Sequence, residues 1–208
     1  MSSISVPSLV LWCLGAFLCG SIPFGLLLVK LAGKGDVRAH GSGNIGATNV
    51  SRVGGKALGI LTLLLDILKG FLPVFLAKRL GLDDTALSLL ALAAVLGHMF
   101  TPWLKFRGGK GVATALGVAL AFKAAMVLPA LGVFIVLLLL FRYVSLGSVL
   151  AAVALPLILV WQGAAPLVLI LWAGLALLVI LKHHENIRRL LQGTESPLWG
   201  AKKENAHG

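Results

Sequence analysis

Long apolar runs are the feature that most restricts the fold of this chain. A helix that crosses a bilayer needs about 20 mostly apolar residues. Five segments fit this requirement: Pro7–Val29, Ala57–Ala77, Thr85–Leu104, Leu146–Gln162 and Pro166–Leu181. Charged residues make up only 12% of the chain, too few to cover the surface of a soluble domain. The sequence therefore predicts an all-α integral membrane protein, with residues 1–208 as a single transmembrane domain.

The stretch Gly111–Phe141 decides how often the chain crosses. At about 1.5 Å per residue it is too long for one comfortable crossing and short for two. Lys123 near its middle predicts a tight turn between two short helices. With two crossings there, nearly all Lys and Arg residues outside the spans fall on one side, as expected for cytoplasmic loops. We therefore expect a bundle of about seven helices with the N-terminus outside and the C-terminus cytoplasmic.

The net charge of +11, from 18 Lys and Arg against 7 Asp and Glu, points to an anionic partner. In a soluble protein it would suggest nucleic acid, but in a membrane protein it indicates a positive cytoplasmic face and an anionic ligand at the membrane surface. We expect membrane lipid contact and no nucleic-acid partner. The two cysteines, Cys13 and Cys19, lie on different faces of one apolar run and exclude a disulfide-rich scaffold.

Three polar segments reach the same face in this topology. We call His40–Arg52 the first segment, Lys105–Thr114 the second and Lys182–Arg189 the third. They are far apart in sequence, and their convergence is the main indication of a functional site.

The first segment, HGSGNIGATNVSR, matches the pattern GxGxxG formally. No strand precedes it and a membrane helix follows, so it does not predict a dinucleotide site. Its glycines still allow backbone N–H groups to approach an anion near a helix N-terminus. Arg52 can hold a phosphate with two N–H groups. Neutral donors are Ser42, Asn44, Thr48 and Asn49. The alternative is a flexible polar loop.

The second segment contains Gly108-Gly109-Lys110-Gly111. It is not a Walker A motif, because Gly111 stands where Ser or Thr belongs. A lysine between glycines at the start of a helix remains a good phosphate contact. The alternative is an ordinary basic loop flanking the membrane. Nearby His98 lies within a predicted span. A lone histidine there is more often a hydrogen-bonded structural residue than a catalytic one.

The third segment contains His183, His184, Glu185 and Asn186. Adjacent histidines point about 100° apart on a helix, so zinc binding is disfavoured and no metal site is expected. His183 and Asn186, three residues apart, share a face and can hold a substrate hydroxyl. The following arginines, Arg188 and Arg189, are expected to anchor the surface.

One acid and one base lie inside the second apolar run. Asp66 and Lys69 are three residues apart, so they can pair on one helix face. We expect a structural ion pair.

Together these motifs resemble a known family. GSGNIGATNVSR followed by DILKG, then GHMFTPWLKFRGGKGVAT, then HHENIRRL are similar to the three signature motifs of the bacterial acyl-phosphate:glycerol-3-phosphate acyltransferases, the PlsY family. Ile45 departs from the proline of many members. The resemblance implies transfer of a fatty acyl group from acyl phosphate to the sn-1 hydroxyl of glycerol 3-phosphate, giving lysophosphatidic acid and phosphate. It also implies a bacterial inner-membrane location, a cytoplasmic active site, no cofactor, and coupling to an enzyme that makes acyl phosphate.

The resemblance also implies roles for individual residues. The catalytic residues it implies are His183, Asn186 and Ser42. The phosphate-binding residues it implies are Arg52, Lys110, Gly108, Gly109, Gly111, Gly43, Asn44, Thr48, Asn49 and Ser148. Ser145 is expected beside Ser148, near the donor phosphate, and Glu185 lies in the third motif.

Two other function classes remain open at this stage. A transporter of a phosphorylated solute would use the same basic, glycine-rich segments, although their placement at one face, without a mirrored half, counts against it. A lipid-binding scaffold would need neither Lys110 nor Arg52. No Ser-His-Asp or Cys-His arrangement is identifiable, so a covalent acyl-enzyme lacks an activated nucleophile.

Overall fold

The structure is a computed structural model that describes residues 4–199. In this range the chain forms helices and connecting loops without a strand. The α-helices are α1 (Val6–Ser21), α2 (Phe24–Leu31), α3 (Ala47–Gly54), α4 (Lys56–Arg79), α5 (Asp84–Met99), α6 (Val112–Phe141), α7 (Val144–Trp161), α8 (Pro166–Lys182) and α9 (His184–Leu191). The prediction of an all-α membrane protein is confirmed.

The first span is broken. The sequence predicts one helix over Pro7–Val29, whereas α1 ends at Ser21 and α2 begins at Phe24. Pro23 has no N–H for a helical hydrogen bond, which explains the interruption. The side chain of Lys69 on α4 donates a hydrogen bond of 2.7 Å to the carbonyl of Ile22 at this break.

The helix α6 is interrupted at Lys123, as predicted. This residue has φ −149° and ψ 99°, which are extended rather than helical. Lys78 Nζ donates to the carbonyl oxygens of Ala121, at 3.3 Å, and Phe122, at 2.6 Å. Lys123 Nζ lies 3.3 Å from a carboxylate oxygen of Asp84. The interruption therefore lies at the end of the bundle where α4 ends and α5 begins.

Both ends of α6 return to one polar cluster. Lys110, just before α6, donates to Asn186, and Asn186 donates to Glu195. Ser145, just after α6, donates to the same carboxylate. A continuous helix of 30 residues would hold its ends about 45 Å apart. The chain therefore reverses direction within α6.

Length and composition identify five helices that can cross a membrane, or six when the pair α8 and α9, bent by 59°, counts as one span. This count takes α6 as one span although the chain reverses within it. The predicted number of seven crossings is therefore not reached by this count. Among the spanning helices α5 is the most enclosed by protein. Leucine side chains on α1, α4 and α6 face outward, as expected for contact with lipid.

Candidate functional site

Asn49 organises the first segment. Its Oδ1 accepts a hydrogen bond of 2.9 Å from the backbone N–H of Ser42, and its Nδ2 donates to the carbonyl oxygens of Val37, His40 and Asn44. Only 2% of the residue is exposed. Because the loop uses the amide in this way, the predicted direct contact of Asn49 with a substrate phosphate does not fit the structure.

The remaining polar groups of the first segment surround the start of α3. Asn44 Oδ1 accepts from the backbone N–H of Gly46, at 2.8 Å, immediately before Ala47. Thr48 lies half-buried in the first turn of α3, and Ser42 is exposed in the loop before it. A helix N-terminus favours an anion. These residues can therefore contribute to phosphate binding.

Gly108 and Gly109 use their amides inside the protein. Gly108 N–H donates to the carbonyl of Met99 and Gly109 N–H to that of His98, both at 3.1 Å. A direct contact of these two N–H groups with phosphate, as the predicted binding role of Gly108 and Gly109 would suggest, does not fit the structure. Gly111, with φ +80°, starts α6 in a left-handed conformation that glycine adopts without strain.

Lys110 is the cation that the second segment brings into the site. Its Nζ donates to Asn186 Oδ1 on α9, so the second and third segments are in direct contact. Burial lowers the pKa of Lys110; the charges of Arg189 and Arg52 lower it further, while Glu195 and Glu185 oppose the shift. Leu104, just before the second segment, packs in one buried cluster with Ile45 and Val50 of the first segment, which brings the two segments side by side.

His183 lies at the bend between α8 and α9. It is 3% exposed, and its Nδ1 lies 2.8 Å from the carbonyl oxygen of Val179. A carbonyl can only accept a hydrogen bond, which assigns the proton to Nδ1 and leaves Nε2 as an acceptor. An imidazole held in this tautomer can accept the proton of a hydroxyl at Nε2.

Glu195 is a site residue that the sequence analysis missed. Its Oε1 accepts hydrogen bonds from Asn186, at 2.6 Å, and Ser145, at 2.7 Å, and its Oε2 accepts from Arg189 Nε at 2.6 Å. Burial raises the pKa of this carboxyl, but the three hydrogen bonds outweigh burial and hold the pKa below its ordinary value. The chain has only seven acids. The position of Glu195 six residues after Arg189, at the end of the third segment, was the feature of the sequence that could have indicated it.

These contacts bear on the roles expected of Arg189, Ser145, Ser148 and Asn186. Arg189 pairs with Glu195, a contact with the polar network that the expected surface-anchoring role did not include. Ser148 Oγ donates to the carbonyl of Val144 at 2.7 Å, and Ser145 Oγ donates to Glu195. Both serine hydroxyls therefore already donate a hydrogen bond within the protein, and the predicted donation from Ser148 to a phosphate does not fit the structure. Asn186 holds Lys110 and Glu195 with its amide, which makes it the centre of the network.

The ion pair inside the second run is confirmed, since Lys69 Nζ lies 2.7 Å from Asp66 Oδ1. His98 is buried as expected, but its Nδ1 has no hydrogen-bond partner among the residues described. Within residues 4–199 no group of three or more His, Cys, Asp or Glu side chains is arranged to hold a metal ion.

Known proteins share this fold and sequence. The family model for glycerol-3-phosphate acyltransferase matches residues 10–193. The glycerol-3-phosphate acyltransferase of Trichlorobacter lovleyi is 55% identical, over 89% of this chain and 95% of the relative. That of Geobacter sulfurreducens is 52% identical, over 87% and 93%.

A crystal structure of PlsY (YgiH), an integral membrane glycerol 3-phosphate acyltransferase, in its glycerol 3-phosphate form aligns with a TM-score of 0.88 and 44% identity. The alignment covers 93% of this chain and 96% of that one. The lysophosphatidic acid form of the same enzyme aligns with a TM-score of 0.84 and covers 91% and 95%. Sequence, family model and fold agree over nearly the whole chain, and this multi-pass membrane protein therefore belongs to the glycerol-3-phosphate acyltransferase family.

Proposed function

We propose that this protein transfers a fatty acyl group from acyl phosphate to the sn-1 hydroxyl of glycerol 3-phosphate, giving lysophosphatidic acid and inorganic phosphate. The observation that carries the proposal is the contact of Lys110 with Asn186, which lies three residues after His183 at the end of a membrane span. The related PlsY structures with glycerol 3-phosphate and with lysophosphatidic acid support the same substrate and product.

Phosphate binding falls to the cations of the first two segments. Lys110, fixed by Asn186, provides a half-buried positive charge. Arg52, on the last turn of α3, adds a guanidinium that can make two parallel N–H bonds to a phosphate. Ser42, Thr48 and the N-terminal amides of α3 complete the set of donors. Asn49 and the two glycines before Lys110 position these groups and do not contact the substrate.

His183 and the departing phosphate share the proton chemistry in this proposal. The sn-1 hydroxyl donates a hydrogen bond to His183 Nε2 while its oxygen attacks the acyl carbonyl carbon. The new ester C–O bond forms and the bond from the acyl carbon to the phosphate oxygen breaks. As the new bond forms, the hydroxyl proton leaves its hydrogen bond to His183 Nε2 and moves to an oxygen of the leaving phosphate, while Lys110 and Arg52 stabilise the negative charge that develops.

Acyl phosphate is the donor that this chemistry favours. It is already an activated mixed anhydride, so it needs no covalent acyl-enzyme. Part of the rate then comes from holding two phosphate-bearing substrates in reacting geometry. A thioester donor would leave no phosphate to take the proton, and His183 would have to act as the general base. An enzyme that makes acyl phosphate is then the expected functional partner.

The site is proposed to lie at the cytoplasmic face of a bacterial inner membrane. The reversal of the chain within α6 supports two passes there, and hence about seven crossings in one domain over residues 1–208, with the N-terminus outside and the C-terminus inside. Single cysteines in a background without Cys13 and Cys19 test this topology. His40→Cys, Arg107→Cys and Glu185→Cys are expected to label from the cytoplasm and Asp83→Cys from outside; labelling of positions 40 and 185 from opposite sides would refute it.

The activity test supplies each donor separately to the purified protein with glycerol 3-phosphate. Lysophosphatidic acid and released phosphate are expected in equal amounts from acyl phosphate, and no product from acyl-CoA or acyl carrier protein. Comparable turnover of acyl-CoA would contradict the proposed donor. Uptake of labelled glycerol 3-phosphate into proteoliposomes without lipid formation would contradict the enzyme assignment and support a transporter.

A further inference from the structure

A buried polar cluster lies inside the membrane part of the protein, outside the residues assigned to the reaction. Asp66 and Lys69 on α4 form an ion pair, and His98 Nδ1 on α5 lies 3.9 Å from Asp66 Oδ1. The three residues are at most 4% exposed. Charged groups at such a position are costly and usually serve a purpose. His98 Nδ1 makes no hydrogen bond to the pair, so the ion pair lies beside the edge of the ring that faces α4 without binding it.

The opposite edge of the same ring contacts the second segment. A β-carbon built on Gly109 would lie 2.1 Å from His98 Nε2, so the ring packs directly against this glycine. The backbone N–H of Gly109 also donates to the carbonyl of His98 at 3.1 Å. His98 therefore holds Gly109 through both its main chain and its side chain.

Lys110 follows Gly109 directly and reaches Asn186 with its ammonium group. The main chain just before Lys110 is thus held by a residue of α5, and the ammonium group of Lys110 is held by a residue of α9. We propose that His98, packed between the Asp66–Lys69 pair and Gly109, is a positioning residue that sets the place of Lys110 in the phosphate site. This inference rests on the proposed function, and it gives the buried cluster a role in the reaction.

Alanine variants at His98 and at the two neighbouring glycines provide the test. A β-carbon on Gly109 meets the His98 ring, whereas one on Gly108 meets the backbone carbonyl of His98 at 2.0 Å. Removing the ring therefore relieves the first collision and leaves the second, which makes Gly108 a matched control. We would measure kcat/KM for acyl phosphate with glycerol 3-phosphate in His98→Ala, Gly109→Ala, Gly108→Ala and the two double variants that contain His98→Ala.

His98→Ala is expected to lower kcat/KM by up to about a hundredfold, as displacement of a binding group by an ångström can do. The His98→Ala/Gly109→Ala variant should be at least as active as the less active of its two single variants. The losses from His98→Ala and Gly108→Ala should instead multiply, because the backbone carbonyl that meets Gly108 remains when the ring is removed. His98→Ala should also add little in a Lys110→Ala background. Ser88→Ala, a buried polar change at the far end of α5, should stay within about twofold of the wild type.

Wild-type kinetics in His98→Ala would overturn the inference, and so would losses that multiply equally with Gly108→Ala, Gly109→Ala and Lys110→Ala. Gel filtration and thermal unfolding in detergent establish which variants are folded. If His98→Ala does not fold, His98→Asn takes its place in the same comparison. The wild-type assay tests the proposed function and the ratios among variants test the role of His98, so the two failures are distinguishable.

Discussion

The first and second segments are both rich in glycine, but they use it for different physical reasons. In the first segment Gly41 and Gly43 have φ values of +59° and +67°, so glycine allows the loop to turn. In the second segment Gly108 and Gly109 pack against the last turn of α5, where a β-carbon would collide with His98. A GxG or GGK pattern alone does not distinguish a turning glycine from a packing glycine.

The cations of the two segments differ in a similar way. Arg52 is exposed on the short helix α3, whereas Lys110 is half-buried and held by Asn186. The first segment therefore presents an adaptable contact at the surface, and the second presents a preorganised one.

The largest expected effect comes from removing either cation. Lys110→Ala and Arg52→Ala should each remove a charge-assisted contact of about 1.5–3 kcal/mol, or about ten- to a hundredfold in kcat/KM. Arg52→Lys should restore only part of the activity, because it loses the two-pronged contact. Lys56→Ala, which removes an exposed cation at the start of α4, is the control. Near-wild-type kinetics in both alanine variants would refute the phosphate site.

Gly108→Ala tests the packing role of the second segment. Its β-carbon would meet the backbone carbonyl of His98, so we expect a loss of about 1–3 kcal/mol in the free energy of unfolding, typical of overpacking. Gly132→Ala in α6, where a β-carbon meets nothing within 4 Å, should be neutral or slightly stabilising. Thermal unfolding in detergent measures both; equal stability of the two variants would count against a packing role.

Asn49→Ala tests the framework of the first segment. The change removes the four hydrogen bonds of the amide and should cost about 1–3 kcal/mol in stability, because partly buried backbone groups lose their partners. Asn44→Ala removes the one bond to Gly46 N–H and should cost less. If Asn49→Ala leaves stability unchanged while kcat/KM falls, Asn49 contacts the substrate after all.

The pH dependence of activity should separate the two cations. Because burial lowers the pKa of Lys110, its charge is lost at a lower pH than that of an exposed lysine. Activity should therefore fall on the alkaline side as pH rises through this lowered pKa. Lys110→Arg should move the fall to higher pH, since a guanidinium stays charged. An unchanged alkaline limb in a profile of kcat/KM against pH would contradict the assignment.

The smallest effect is expected at a turning glycine. Gly43 has space for a β-carbon, whose nearest contact would be the carbonyl of Arg38 at 3.4 Å. Gly43→Ala should therefore cost only the left-handed strain of about 1–2 kcal/mol, with little change in kcat. Thermal unfolding and steady-state kinetics measure the two quantities. A large fall in kcat would mean that the backbone of this loop approaches the substrate more closely than a side chain permits.

The sequence predicted those features that depend only on residues close together in the chain. The interruption at Lys123 follows from a charge in the middle of a long apolar run, and the Asp66–Lys69 pair follows from i,i+3 spacing in a span. The broken first span was missed, although Pro23 marked it.

The sequence by itself determined the membrane class, the polar segments and the family, because apolar length, charge placement and long motifs are properties of the chain. Only the tertiary structure decided which groups meet. Lys110 and Asn186 are separated by 76 positions, and Glu195 joins them from a segment without a recognised motif. The same packing engages the amides of Gly108 and Gly109 within the protein. Hydrogen-bond partners depend on distance in space, and the packing of α5, α8 and α9 sets that distance.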